Sequence, residues 1–426
     1  MLASILTALL FAVCDLGVIF SEKDAWSESA VDFTVDNARY GFEFASQKRD
    51  IVNCLKRGMC KWHGLDVWEA RIYYAHDGAK RIEMSLYNRG DDKTGENVGH
   101  EKLKAMLSEI ASKIEPGFKF GRVDKTKLPT GGYKYIKKWT NLDPSVELTW
   151  GVNGAKAKEM VAQFIRVTIY PKTQKRARDI LRSSPKGISK KKIKENVTKN
   201  SEGDVWIQNV PMVDQGQKGY CAAAVAERVM RYYGHKVDEH EIAQLAGTEA
   251  RGGTSTKRMV ETVRLMGSKY HLAYQQVVSM NGSLGDIQKE IEMYNKAAKA
   301  EKEPEIRMGD FITGNLIQVG RIKEAMKPKV IKKMRVKDSR YKKFLSNVET
   351  QIDQGVPIIW GVTIGIFPEP GLPQTMGGHM RLIIGYNKKT KEILYSDTWG
   401  AGHELKRMPE DWAFAITHDA FFLRPL

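Results

Sequence analysis

Cysteine is scarce in this chain, with four among 426 residues. No cysteine pair is followed by a histidine pair, and H-E-x-x-H is absent, so the common zinc-site patterns are excluded. Internal repeats are lacking too. Acidic side chains are outnumbered, 51 Asp and Glu against 68 Lys and Arg, for a net charge of +17. That surplus favours acidic partners such as nucleic acid, anionic lipid or acidic polymers. No nucleic-acid motif accompanies it, and a soluble basic surface is the simpler reading. Long apolar runs are missing beyond the first twenty residues.

What is present is globular in composition, 42% hydrophobic and 28% charged, and too long for one ordinary domain. Met1 to Val13 is almost wholly apolar, and Asp15 interrupts it. The run has the core of a secretory signal peptide without the preceding Lys or Arg; a short membrane anchor over Met1 to Phe20 is the alternative. Either implies an exported protein, and residues 1–21 are set apart on that basis. Cys54 and Cys60 then form a small disulfide loop or remain buried thiols, and Cys221 is left odd, a thiol to be considered reactive.

Residues 22–170 read as an α+β domain of unassigned role. "VWEARIYYAHDGAKRIEMSLYN" alternates around a turn and predicts a hairpin. Leu103, Met106, Leu107, Ile110 and Ile114 share one helical stripe. "TGGYKY" is read as a turn, not a phosphate loop. Residues 171–203 are lysine-rich and dotted with Ser, Gly and Pro, the composition of a linker or a basic arm for an acidic partner. Residues 204–426 read as helices followed by an antiparallel sheet, an α+β layout. Helices are predicted from Cys221 to Gly234, after Asp238 as N-cap, after Thr254 or Ser255, and after Ser283. Strands are predicted in "VPIIWGVTI", "HMRLIIGYN", "EILYSDTW" and "AFFLRPL".

Cys221 opens the helix after "VDQGQKGY". A thiolate, not a thiol, is the nucleophile, and a helix N-terminus favours the negative charge. Gly216 and Gly219 let the loop turn tightly and a substrate approach the backbone. Gln215 offers a side-chain N–H to a developing oxyanion beside the Cys221 backbone N–H, with Gln217 competing for that role. Gln215-Gly216-x-x-Gly219-x-Cys221 followed by a helix resembles the nucleophile loop of papain-like cysteine peptidases. That family keeps a tryptophan after the cysteine, where this chain has Ala222. The departure is similar to the bacterial branch that cleaves double-glycine bacteriocin leaders, and "VDEHEIAQLAGTEARGGTSTKRMVETVRLMG" resembles that branch as well.

Such a peptidase needs a base and a group to orient it. His379 stands at the start of an apolar strand after two glycines, and Asp397 ends the next strand. A loop of three or five residues between the strands puts both side chains on one face; a two-residue turn puts them on opposite faces. Gly378-His379 and Asp397-Thr398-Trp399-Gly400 also match the resemblance, in the chain order Gln, Cys, His, Asp. Trp399 is expected over the His–Asp contact. His235, His240, His403 and Glu227 are read as surface residues. The resemblance implies an α+β papain-like domain, a Cys221–His379–Asp397 triad with Gln215, a peptide or protein substrate, and no metal or organic cofactor. Two alternatives remain: acyl transfer to an amine, as in transglutaminase-like proteins, and a non-catalytic binding module using basic residues 171–203 and 321–343.

Overall fold

The computed structural model describes residues 14–92, 94–117, 123–128, 132–154, 156–171, 189–216, 219–248, 253–280, 283–314, 316–372 and 375–426. The chain forms two compact units, one up to residue 182 and one of residues 183–248 and 252–426. Each has its own buried apolar cluster.

In the first unit, Glu69–Ala75 and Gly78–Asn88 form the predicted hairpin, closed at Ala75 and Gly78. They sit inside an eight-stranded antiparallel sheet that runs from Phe42–Phe44 at one edge to Asp124–Lys127 at the other. Helix His100–Ile114 buries Leu103, Leu107 and Ile110 in the same core, with Met106 and Ile114 half-buried beside it. That is the stripe expected from 3.6-residue spacing.

Residues 14–20, set apart in the sequence with a leader or anchor, pack with the first unit in the structure. Cys14–Asp15 pairs with Cys60–Trp62, and Leu16 and Phe20 are fully buried in the first unit's core. Asp15, read in the sequence as a break in an apolar run, is an anchor. Its carboxylate accepts the backbone N–H groups of Gly17 at 2.9 Å, His63 at 2.8 Å and Gly64 at 2.8 Å. Residues 1–13 lie outside the described residues. Among the described residues no helix is long and apolar enough to cross a membrane. Cys54 and Cys60 are both buried free thiols.

The second unit is built on an antiparallel sheet. Its strand order is Val197–Lys199, Asp204–Ile207, Gly377–Asn387, Ile358–Ile364, Thr417–Pro425, Leu272–Ser279, with Glu392–Ser396 and Lys406–Pro409 added on Gly377–Asn387. Ile358–Ile364 is buried along its whole length, as a central strand with both faces covered must be. Helices Cys221–Tyr232, Glu239–Ala246, Thr256–Lys269 and Leu284–Glu301 have the predicted starts, the last three capped by Asp238, Ser255 and Ser283. The α+β reading holds. Several elements escaped it, among them a strand and a short helix. Strand Leu272–Ser279 is broken in pattern by Gln275 and Gln276, and helix Glu410–Ile416 is too short to show a period.

The basic stretch 171–203 is only partly what its composition suggested. Residues 172–188 lie outside the described residues. Among the described residues, Ser189 caps Lys190–Lys194, Ile193 is buried, and Val197–Lys199 pairs with Asp204–Ile207. Ile193 is buried in the second unit's core while Lys191, Lys192 and Lys194 stay exposed. Basic residues 321–343 are largely helical, and three of their lysines are held by acids, Lys329 by Glu303 at 2.5 Å, Lys332 by Asp411 at 2.8 Å and Lys333 by Glu301.

The N-terminal anchor gives a direct expectation. Asp15→Ala removes the cap and the ties to residues 63 and 64, and lowers the first unit's stability by about 1–2 kcal/mol. Urea or thermal unfolding measures this, and the alkylation rate of Cys221 serves as the control that does not change.

Candidate active site

Cys221 is the first residue of helix Cys221–Tyr232, and no side chain caps that N-terminus. Three alanines favour the helix. Gly234, at φ 81°, ends it in the left-handed conformation that glycine adopts without strain. Every residue from Ala222 to Met230 is buried. The tryptophan position of papain-like loops is therefore a core position here, since Ala222 is 2% exposed.

The helix is fixed in place by polar side chains that the sequence reading set aside. Glu227, expected on an exposed face, is buried and accepts the backbone N–H of Glu239 at 2.7 Å. It thereby joins the cysteine helix to the next one. His240, expected at the surface, is also buried and lies edge-on to Tyr220. Arg228, two turns beyond Cys221, is 1% exposed. Its guanidinium donates to the Pro211 carbonyl at 2.7 Å, the Asp397 carbonyl at 2.6 Å and Ser396 Oγ at 2.5 Å.

His379 and Asp397 meet in the sheet. His379 Nε2 lies 2.5 Å from Asp397 Oδ1, and both side chains are buried. The route to that contact differs from the one expected. Asn387 pairs with Glu392, which leaves a four-residue loop, Lys388–Lys391. An even loop with unbroken pairing turns Asp397 to the face opposite His379. A bulge restores the face: the register shifts between Ile383 and Gly385, so that Leu382 pairs with Ser396. One step further along this ladder Arg381 stands opposite Asp397, with His379 on the same face two residues away.

Trp399 lies over the imidazole, ring centroids 4.2 Å apart and 3° from parallel. This stack covers the His379–Asp397 contact. Thr398 binds on two sides. Its backbone N–H donates to Asp397 Oδ1 at 2.8 Å, and its hydroxyl donates to Gln215 Oε1 at 2.5 Å. The Gln215 backbone N–H in turn donates to the Thr398 carbonyl at 2.9 Å. The amide oxygen of Gln215 is thus held by Thr398, and its NH2 is the donor end. Gly216, at φ 62°, makes the turn the loop requires, and its N–H is bound by Asp214 at 2.8 Å. Gln217 lies outside the described residues. Gly400, at φ 76°, is required as glycine, because a side chain there would run into the Asp214 carboxylate.

The charges are arranged as an alternating series. Burial alone would lower the His379 imidazole, but the charge and hydrogen bond of Asp397, with a hydrogen bond to Cys221, outweigh it and hold it at about 9. Burial would raise the Asp397 carboxyl, but His379 and then Arg381 and the Thr398 N–H hold it at about 2. Behind Asp397, Arg381 Nε is 3.4 Å from Oδ2. Arg381 also binds Glu369 at 2.7 and 3.3 Å, and Glu369 accepts from the Tyr395 hydroxyl at 2.6 Å. The predicted Gln215, His379 and Asp397 thus come together through Thr398, and Cys221 contributes to raising the His379 imidazole. Arg228, Arg381, Glu369 and Thr398 were missed. The signal for Arg381 was a lone cation two residues from His379 in an apolar strand.

Residues 207–296 and 292–417 match the family described as the Peptidase_C39 like family. The peptidase domain of Streptococcus ComA, described as a bi-functional ABC transporter involved in a quorum sensing pathway, is similar at 13% identity and a TM-score of 0.26; the match covers 51% of this chain and 100% of that domain. Xylellain, a cysteine protease from Xylella fastidiosa, is similar at 13% identity and a TM-score of 0.27, over 57% of this chain and 91% of that protein. None of the curated proteins matches the sequence.

Two outcomes are expected. Ala222→Trp overfills a 2%-exposed position and destabilises the second unit by about 1–3 kcal/mol or more, read as a lower urea midpoint. Secondly, the His379 value is raised above its ordinary 6.5, so its stabilising contribution is complete below pH 6.5 and is lost as pH rises through about 9. That of Asp397, lowered from 3.8, is complete above pH 3.8 and is lost as pH falls through about 2. The difference in unfolding free energy between wild type and His379→Gln therefore shrinks between pH 6.5 and 9, as measured by urea titrations across that range.

Proposed function

We propose, on the match of residues 207–296 and 292–417 to the Peptidase_C39 like family, that this part of the chain hydrolyses peptide or protein amide bonds with Cys221 as nucleophile, His379 as acid and base, and Asp397 as the group that orients the imidazole. The observation that carries this reading is the buried 2.5 Å contact of His379 with Asp397 beneath Trp399.

The Cys221 thiolate attacks the scissile carbonyl carbon, and the carbonyl π pair moves to oxygen. The resulting oxyanion is held by the Gln215 side-chain N–H and the backbone N–H of Cys221. Protonated His379 gives its proton to the leaving amine as the C–N bond breaks, and a thioester remains. Water then attacks the thioester carbon while neutral His379 takes a proton from it. The second oxyanion collapses, the C–S bond breaks, and the acid leaves Cys221 as thiolate beside protonated His379. Asp397 keeps one imidazole tautomer throughout: Nε2 is committed to the carboxylate, so Nδ1 is the nitrogen available to sulfur and leaving group.

Thr398 gives this reading a physical basis for coordination between its parts. It holds both the amide of Gln215 and the carboxylate of Asp397. Oxyanion donor and triad acid therefore share one support, and a displacement of either moves the other.

Turnover of a peptide library by wild type, followed by mass spectrometry, tests the reading. Cys221→Ala abolishes cleavage, and Cys221→Ser leaves a trace at most. Unchanged cleavage by Cys221→Ala refutes it.

A further inference from the structure

The buried groups behind Asp397 go beyond what a Cys–His–Asp triad requires. Asp397 is faced by His379 and Arg381 from strand Gly377–Asn387 and by Arg228 from the cysteine helix, which binds its carbonyl. From the segment that follows Asp397, Lys406 and His403 feel its charge at longer range. Arg381 is faced in turn by Glu369 and Tyr395.

We propose that Arg381 is a positioning residue of this site: held by Glu369 and Tyr395, it fixes the Asp397 carboxylate as an anion turned with Oδ1 toward His379. This rests on the peptidase reading and adds a residue to it.

A carboxylate has two oxygens. Oδ1 is taken by His379 Nε2 at 2.5 Å and the Thr398 N–H at 2.8 Å. Oδ2 faces the Arg381 guanidinium at 3.4 Å in a place with no solvent, since Asp397 and Arg381 are both 0% exposed. Arg381 cannot rotate away. Two of its nitrogens are on Glu369, and its plane lies 4.6 Å from the Tyr395 ring and 5.5 Å from the Trp360 ring. The series His379, Asp397, Arg381, Glu369 alternates in sign when the imidazole is protonated, so each buried charge has an opposite neighbour. Without the cation, Oδ2 is a buried charge with no counter-ion on its side. The carboxyl then takes up a proton more readily, and a neutral Asp397 no longer holds the imidazolium.

The placement follows from the bulge. Because the register shift at Ile384 sets Arg381 opposite Asp397 and leaves His379 one pleat further, the two cations approach the carboxylate from adjacent positions of the same strand face. The helical anchor Arg228 touches only the backbone carbonyl, so the charge on Oδ2 falls to Arg381.

The test is the pH dependence of Cys221 alkylation by iodoacetamide, together with kcat and KM on a cleaved peptide. Arg381→Met combined with Glu369→Gln removes both buried charges, so that Glu369 is not left alone. In the folded double variant the low-pH edge of alkylation moves up by about one unit or more, in line with the effect of an adjacent cation on a carboxylate. Arg381→Lys keeps the cation but loses the fork on Glu369. It retains the wild-type edge, while kcat falls about tenfold or more with KM within about twofold, the pattern of lost orientation. A double variant with wild-type edge and rate overturns the proposal; if that variant does not fold, Arg381→Lys with wild-type kcat overturns it. Should wild type cleave no peptide, the peptidase reading fails, while the alkylation edge still decides the role of Arg381.

Discussion

The second unit is organised around one buried charge. Asp397 is fully enclosed, and an isolated carboxylate in such a place would be protonated or would unfold its surroundings. It stays ionised because His379, Arg381 and the Thr398 N–H surround it. Those partners come from different places in the chain, so satisfying one carboxylate brings two strands and their loops into register. Arg228 extends the same constraint to the cysteine helix by binding the carbonyl of the same residue. Breaking one partner of such a group leaves the others uncompensated, which makes the assembly cooperative.

The remaining features follow from that constraint. Trp399 keeps water from the His379–Asp397 contact, where a low dielectric strengthens the pair. Gly400 must lack a side chain because Asp214 approaches it, and Asp214 shapes the loop that carries Gln215. Ala222 is small because its helix is buried nearly all round. Gly400, the placement of Gln215 and the small residue at position 222 thus follow from packing around one site.

Much of this was legible in the sequence, and the failures have causes. Cys221, His379, Asp397 and Gln215 stood out because a thiol after a glycine loop and a histidine opening an apolar strand are unneeded for packing. The helix starts were marked by Asp238, Ser255 and Ser283, whose side chains do local work visible in sequence. The bulge at Ile384 was not legible, because residue types in "RLIIGYN" do not say which one drops out of the ladder. Glu227 was misjudged and Arg228 missed for a related reason: a charged residue on a helix reads as exposed unless its distant partner is known. Cys14 to Phe20 misled in the opposite direction, since a short apolar segment packed in a core and the end of a leader have the same composition. Ile193 shows the same limit inside a lysine-rich stretch, where one buried side chain outweighs the surrounding composition.

The claim on which the account rests is that the charge of Asp397, rather than its shape, makes Cys221 reactive through His379. Asp397→Asn keeps the shape and removes the charge. The measurement is the iodoacetamide alkylation rate of Cys221 at pH 6 in this variant, with its fold checked by near-ultraviolet circular dichroism. The account predicts a rate at least about tenfold below wild type, close to that of an ordinary half-buried thiol. A folded Asp397→Asn protein that alkylates at the wild-type rate would contradict it.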